Sequence, residues 1–224
     1  KANAARVPLL SRLGKVLVSP KFLNNMYSAF DEVLAQWDAY KVEILGDAYF
    51  VVCGCPDEST GLINAANATE VALLLQSLMP QLTSESVMPE SAAGVSIQMR
   101  CGLHSGEVVA GVVGKKDPRY HLFGRSVVFA NKMESHGVPG KVHISSSTYE
   151  RLLPLIDDKR VVVEKREPIE VQDEPGGPIV VEGKEVGHYQ TYFVSKSKWG
   201  SRRKRQMRKR HTIALSTSGG LKDI

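Results

Sequence analysis

Apolar positions set out a helix first. Phe22, Met26, Phe30, Val33, Leu34 and Trp37 recur at helical spacing, behind a Ser19 able to cap and a Pro20 suited to the first helical position. Residues 40–45 alternate, Gly46-Asp47 forms a tight turn, and 48–53 are β-branched or aromatic, so a β-hairpin is expected. A second helix is expected over 60–79, ending before Pro80, with a Ser-, Glu- and Pro-rich loop over 80–94. Val95, Ile97, Met99, Cys101 and Leu103 then fall on one face of a strand. His104-Ser105-Gly106 reads as a turn, and 107–113 as a further strand. A short helix should follow Gly124 and break at 137–140, before a strand over 141–144, a helix over 146–153 and a strand over 160–165. Residues 166–187, acidic and proline-containing, read as a long loop or insertion, and 189–194 as a last strand. Residues 1–19 show no period. The pattern specifies an α+β fold with helices packed on a mostly antiparallel sheet. It divides into an uncertain segment 1–19, a domain 20–195 and a tail 196–224.

Composition changes this picture mainly at the tail. The net charge is +5, but residues 201–210 (SRRKRQMRKR) hold seven Lys or Arg and no acid, so the basic balance belongs to the tail. A solvated, disordered tail is expected there, and without interleaved aromatics no specific nucleic-acid partner. Cys53, Cys55 and Cys101 lie in apolar strand-like stretches with no framework spacing, which points to buried free thiols rather than disulfides or zinc ligands. The apolar runs fall short of the roughly 20 residues of a membrane helix. The chain begins at Lys1 rather than Met, which leaves truncation as one explanation for 1–19.

Two blocks carry the chemistry: YKVEILGDAYFVVCGCP (40–56) and MRCGLHSGEVVAGVVGKKDPRYHLFGRSVVFANKMESHGVPGKVHISSS (99–147). With the signatures K-V-E-x-x-G-D, R-x-G-x-H-S-G, G-V-V-G, P-R-Y-x-L-F-G and A-N-K-M-E-S in order, the chain resembles the catalytic domain of class III adenylyl and guanylyl cyclases. The resemblance implies a ferredoxin-like βαββαβ core with helices on one face of the sheet. It also implies attack of a ribose 3′-hydroxyl on the α-phosphate of a nucleoside triphosphate, with pyrophosphate leaving. Two divalent ions, Mg²⁺ or Mn²⁺, held by carboxylates would activate the hydroxyl and neutralise the phosphates. Such sites lie between two catalytic domains on the cytoplasmic side, in soluble proteins or in the cytosolic part of membrane proteins.

Residue by residue, the resemblance makes Asp47 the second metal aspartate. Outside that context, Gly-Asp would only make the turn. Arg100 matches a triphosphate-contacting position, or else is a strand arginine paired with a neighbouring acid. Glu43 matches the base-reading position that accepts from guanine N1 and N2, where adenylyl cyclases commonly have lysine; this favours GTP over ATP. His121 holds the second base-reading position and can donate or accept. His104 is expected to support its turn.

Four departures accompany these matches. No aspartate precedes Asp31, so the family's first metal ligand has no counterpart in 1–19. His121 stands where cysteine or aspartate is usual. Val128 and Lys132 occupy the positions of the helical asparagine and arginine that orient the ribose and stabilise the transition state. Valine makes no hydrogen bond, and lysine lacks the guanidinium fork. SVVFANKMES resembles the α-type subunit of soluble guanylyl cyclases and the first domain of paired adenylyl cyclases, where a complementary domain supplies both groups. A heterodimer or pseudo-heterodimer is therefore expected, in which Asp47 and Glu43 serve opposite sites. The alternatives are a catalytically dead regulatory partner and an adenylyl cyclase.

Overall fold

A computed structural model of the chain describes residues 2–10, 20–56, 61–85, 97–171 and 187–197. The elements run β1 (Ala2–Leu10), α1 (Pro20–Leu34), β2 (Tyr40–Leu45), β3 (Ala48–Cys53), α2 (Gly61–Glu85), β4 (Gln98–Met99), β5 (Cys101–Gly106), β6 (Val109–Val113), β7 (Arg119–Phe123), α3 (Arg125–Ser135), β8 (Val142–Ser145), α4 (Ser146–Asp157), β9 (Val161–Val171) and β10 (Gly187–Lys196). The main sheet has the order β2-β3-β1-β5-β8-β10-β9, with β4 added beside β1. All its pairings are antiparallel except β5 with β8. β6 and β7 form a separate two-stranded sheet.

Strand alternation sorts the side chains onto two faces. Tyr49, Val51 and Cys53 of β3, Cys101 and Leu103 of β5, and Val142 and Ile144 of β8 join the core under α1, α2 and α4. The intervening Phe50 and Val52 face Ala130 of α3 instead. Gly102 of β5 lies against α3 so closely that a Cβ would stand 2.1 Å from the Glu134 amide nitrogen. Helices thus cover both faces, where one covered face was expected. The α+β class is as expected. The main core buries the α1 stripe Phe22, Met26, Phe30 and Leu34, each burial stabilising by about 1.5–3 kcal/mol.

Several boundaries differ from the sequence reading. Residues 2–10, read as having no period, form the interior strand β1, hydrogen-bonded to β3 and β5. α2 runs through Pro80 to Glu85, because one missing N–H removes one bond while Leu78, Met79 and Leu82 still pack on the core. The alternating strand breaks at Arg100, and His104-Ser105-Gly106 belongs to β5 rather than to a turn. β7 was not foreseen. β9 extends over 166–171, into the expected loop, and β10 begins at Gly187. The remainder of that loop, most of the loop over 80–94 and the basic tail lie outside the described residues. Cys53 and Cys101 are buried free thiols, and burial pushes the Cys53 thiol up to about 12; Cys55 is half-buried.

Candidate functional site

Asp47 sits at the exposed tip of the β2–β3 hairpin, after Gly46 at φ 61°, a left-handed conformation that suits glycine in so short a loop. α1 braces this tip. The Tyr27 hydroxyl donates to the Gly46 carbonyl at 2.8 Å, and its ring stacks on Tyr49 with centroids 5.7 Å apart. The Tyr49 hydroxyl in turn donates to Asp31, whose second oxygen meets the Lys41 ammonium at 2.6 Å. Burial, and then the Asp47 charge, raise the pKa of Tyr27, which keeps its hydroxyl a donor.

Glu43 and His121 come together across β2 and β7, His121 Nδ1 lying 3.8 Å from Glu43 Oε2. The cause is a β-bulge. Lys41 pairs with Val51 and Glu43 with Phe50, so Val42 is the extra residue and Glu43 shares the α3 face with Phe50. Val42 and Phe50 pack with Val127 and Ala130 of α3, and Leu122 of β7 joins them. α3 therefore lies along the seam that holds the pair. Its outward arc carries Val128, 45% exposed, and the half-buried Lys132.

The inward arc of α3 is anchored by polar contacts. Arg100 Nε lies 2.8 Å from Glu134 Oε1, whose side chain is only 6% exposed, and Arg100 Nη1 donates to the Ser135 carbonyl at 3.2 Å. Arg100 is thus paired with an acid, just before the strand that faces α3. His143 Nδ1 donates to the Met133 carbonyl at 2.6 Å, leaving Nε2 to accept from Arg166 at 3.3 Å. His104 does not support a turn; its Nδ1 meets Ser145 Oγ at 2.9 Å, and burial lowers its pKa to about 4, with help from Arg151 and Arg125.

The profile of the adenylate and guanylate cyclase catalytic domain family matches residues 13–196. This chain belongs to that family. Receptor-type guanylate cyclase gcy-13 of Caenorhabditis elegans is 40% identical over 177 residues, covering 77% of this chain but 15% of that protein. The guanylate cyclase soluble subunit alpha-1 of Rattus norvegicus is 47% identical over 131 residues, covering 58% of this chain and 18% of its own length. This cyclase-family chain thus spans under a quarter of these relatives. Among solved structures, the guanylate cyclase domain of RhGC from Catenaria anguillulae in complex with GTP superposes with a TM-score of 0.68 at 29% identity, over 88% of this chain and 97% of that one. No helix among the described residues is long and apolar enough to cross a membrane.

Cyclase domains of this family generally work with divalent metals, and the fit here is partial. Asp47 offers one exposed carboxylate, and no aspartate or glutamate occurs in residues 1–19, which include the strand paired beside the hairpin. Among the described residues no three His, Cys, Asp or Glu gather as an ion would require. One carboxylate does not make a two-ion site. The structure brings Glu43 and His121 together and places α3 beside them, while Asp47 and Arg100 stand apart from that pair on other elements. Sequence reasoning missed the tyrosine brace, although Tyr27 and Asp31 at i, i+4 on α1 gave a usable signal. It also missed Glu134 as the partner of Arg100.

Proposed function

We propose that this chain is a guanylyl cyclase catalytic domain that works as one half of a two-domain unit. It would contribute Asp47 to one site and Glu43, His121, Val128 and Lys132 to the other. The observation that carries this reading is the meeting of Glu43 and His121 on the seam beneath α3, with valine and lysine where the family's transition-state donors belong. A carboxylate facing guanine N1 and N2 accepts two hydrogen bonds, and His121 beside it adds a third polar group. Val128 offers the ribose nothing, so that site binds without reacting. Catalysis belongs to the site where a complementary domain supplies the asparagine and arginine opposite Asp47.

A second domain also suits the surface. Ile44 and Leu45 of β2, Val109, Val112 and Val113 of β6, Phe123 of β7 and Val128 are all exposed. They belong to the elements that carry Glu43, His121 and Lys132, or to β6, which pairs with the strand of His121. Exposed apolar side chains of this kind are characteristic of a protein-binding surface. We place the reaction on the cytoplasmic side, with Mg²⁺ or Mn²⁺ as the ion Asp47 helps to hold.

The test is a cyclase assay with GTP or ATP and Mn²⁺, on the chain alone and mixed with a complementary cyclase domain. The chain alone should be inactive, and the mixture should make cyclic GMP. Asp47→Ala should lower the rate of the mixture by about 100-fold or more, because the carboxylate would help to hold the ion that neutralises the phosphates in the transition state. Strong activity from the isolated chain refutes the assigned roles of Val128 and Lys132. Inactivity with every complementary domain would instead make this a regulatory dimerisation partner.

A further inference from the structure

The polar anchors of α3 all act on its last turn. Gly102 lies against Met133 and Glu134, Arg100 against Glu134 and Ser135, His143 against the Met133 carbonyl and Arg166 against that of His136. The first turn is held differently. Gly124 at the N-cap provides no side-chain hydrogen bond. On the seam side Val127 and Ala130 pack with Phe50. The other side meets the outer part of the β9–β10 ribbon.

That ribbon leaves the main sheet to reach α3. β8 pairs with β10 only over 191–194, whereas β9 stays paired with β10 out to Val171 and Gly187. Where the third strand ends, Arg166 pairs with Thr191 and Ile169 with Tyr189, so Glu167 and Pro168 stand opposite Gln190 alone. This is a bulge on β9, a place where proline is tolerated, and a bulge bends its strand. The side chains of Gln190 and Thr191 donate to the Arg166 and Glu167 carbonyls there. Beyond the bend the cross-strand pair Ile169 and Tyr189 faces α3, and Ile169 is buried with Phe129 and Met133.

Tyr189 touches the first two turns of the helix twice. Its ring meets Phe129 edge to face with centroids 4.8 Å apart, and its hydroxyl accepts from Arg125 at 3.0 Å. Arg125 also lies 5.3 Å from the Phe129 ring centre, and His104 of β5 backs the same ring at 5.0 Å. Arg125 and Phe129 are neighbours on one helix edge, so a single ribbon residue holds both. Beside this contact lies a cavity of about 360 Å³ bounded by Arg125, Phe129, Met133 and Tyr189, so close packing does not hold the helix on that side. Val128 stands only about 60° round the helix from Arg125. Lys132, by contrast, adjoins the anchored last turn.

We infer that Tyr189 is a positioning residue: through Arg125 and Phe129 it sets where the first two turns of α3 lie, and thereby where Val128 stands relative to Glu43 and His121. The consequence for a nucleotide rests on the function proposed above; the clamp itself does not.

The experiment has two arms. Amide hydrogen exchange in the chain compares Phe129 and Ala130 with His136 and Gly137. Tyr189→Ala should speed exchange at the first pair by about tenfold or more and at the second by less than about threefold. Tyr189→Phe keeps the ring contact and should stay within about threefold of the parent throughout. Tyr189→Leu carries the same comparison if Tyr189→Ala does not fold. The second arm uses Val128→Asn with Lys132→Arg, mixed with a complementary domain, and Asp47→Ala in the same chain to silence the other site. There Tyr189→Ala should lower kcat about tenfold while KM for GTP stays within about threefold, and Tyr189→Phe should recover most of the rate. Equal acceleration at both ends of α3, or none, would overturn the inference, and so would an effect on KM alone. If the Val128 and Lys132 substitutions yield no cyclic GMP, the roles proposed for those residues fail, and the exchange pattern decides on Tyr189 by itself.

Discussion

The β2–β3 hairpin tip and helix α3 are fastened with comparable care and present opposite things. At the tip, Tyr27, Tyr49, Asp31 and Lys41 link α1 to the hairpin, and what they steady is a carboxylate. At α3, Gly102, Arg100, His143 and Arg166 fasten the inward arc, and what they steady on the outward arc is Val128 and Lys132. On the function proposed above, scaffold and chemistry have separated in the second region. Anchors kept without the donors would suit a shape-bearing partner domain, because a second domain docks on position and contour rather than on reactivity. The comparison can be broken by attacking each set of anchors in turn.

The largest effect should follow Gly102→Ala. The new methyl would meet backbone atoms of Met133 and Glu134 at 2.5 and 2.1 Å, and a helix backbone cannot rotate aside as a side chain can. We expect a loss of about 3 kcal/mol or more in urea denaturation, or a chain that does not fold. A loss below about 1 kcal/mol would mean that α3 is not seated on β5 as described.

Next in size is a pH effect at His143. Burial lowers its pKa from the ordinary 6.5 to about 4, Arg166 adds to the lowering, and the Met133 carbonyl opposes it. The folded chain therefore holds the imidazole neutral where the unfolded chain would protonate it. Stability is fully present above about pH 6.5 and falls as pH drops toward 4. The loss from this group is on the order of 2–3 kcal/mol. His104, also lowered to about 4, adds a parallel loss. The measurement is thus the slope of stability against pH in the native chain minus that in His143→Gln, which should be flatter. Equal slopes would place the titration elsewhere.

These two anchors also mark where the sequence stops being readable. The hairpin over 40–53 and the helix after Gly124 were legible because their signals are local: alternation around Gly-Asp, and an apolar arc bounded by glycines. The strand at 2–10 was not. Three alanines, a proline and no alternation give it little β-propensity, and β3 and β5 on either side supply its strand character. Gly106 read as a turn because glycine usually marks one, whereas here it makes room for Ser126 and His104. Arg100 and Glu134 are far apart in sequence, and no periodicity reports such a pair. The proposed site residues Glu43, His121, Val128 and Lys132 come from motif context alone. Their juxtaposition depends on the bulge at Val42, which alternation alone does not disclose.

A smaller effect is expected at the tip. Tyr27→Phe keeps the stacking on Tyr49 and removes the hydrogen bond to the Gly46 carbonyl, which is exposed to water and can exchange partners. A loss of about 1 kcal/mol in thermal or urea unfolding follows. If the brace positions Asp47, the variant should also need more Mn²⁺ for half-maximal activity in the mixed assembly. Unchanged metal dependence would reduce the brace to a packing contact.

The smallest effect on stability is the one that tests the comparison most directly. Val128 is exposed on the outward arc, so Val128→Asn should shift stability by less than about 0.5 kcal/mol. A larger loss would show that the outward arc also carries structure, and the separation of scaffold from chemistry would fail. Combined with Lys132→Arg, the substitution returns an amide and a guanidinium fork to a helix whose seat is unchanged. If the anchors have kept that seat in a working geometry, the double variant should raise cyclic GMP output when its partner domain carries a full pair of metal carboxylates, and leave it unchanged when the partner carries none. Output that ignores the partner's carboxylates would put the gained groups outside any second site.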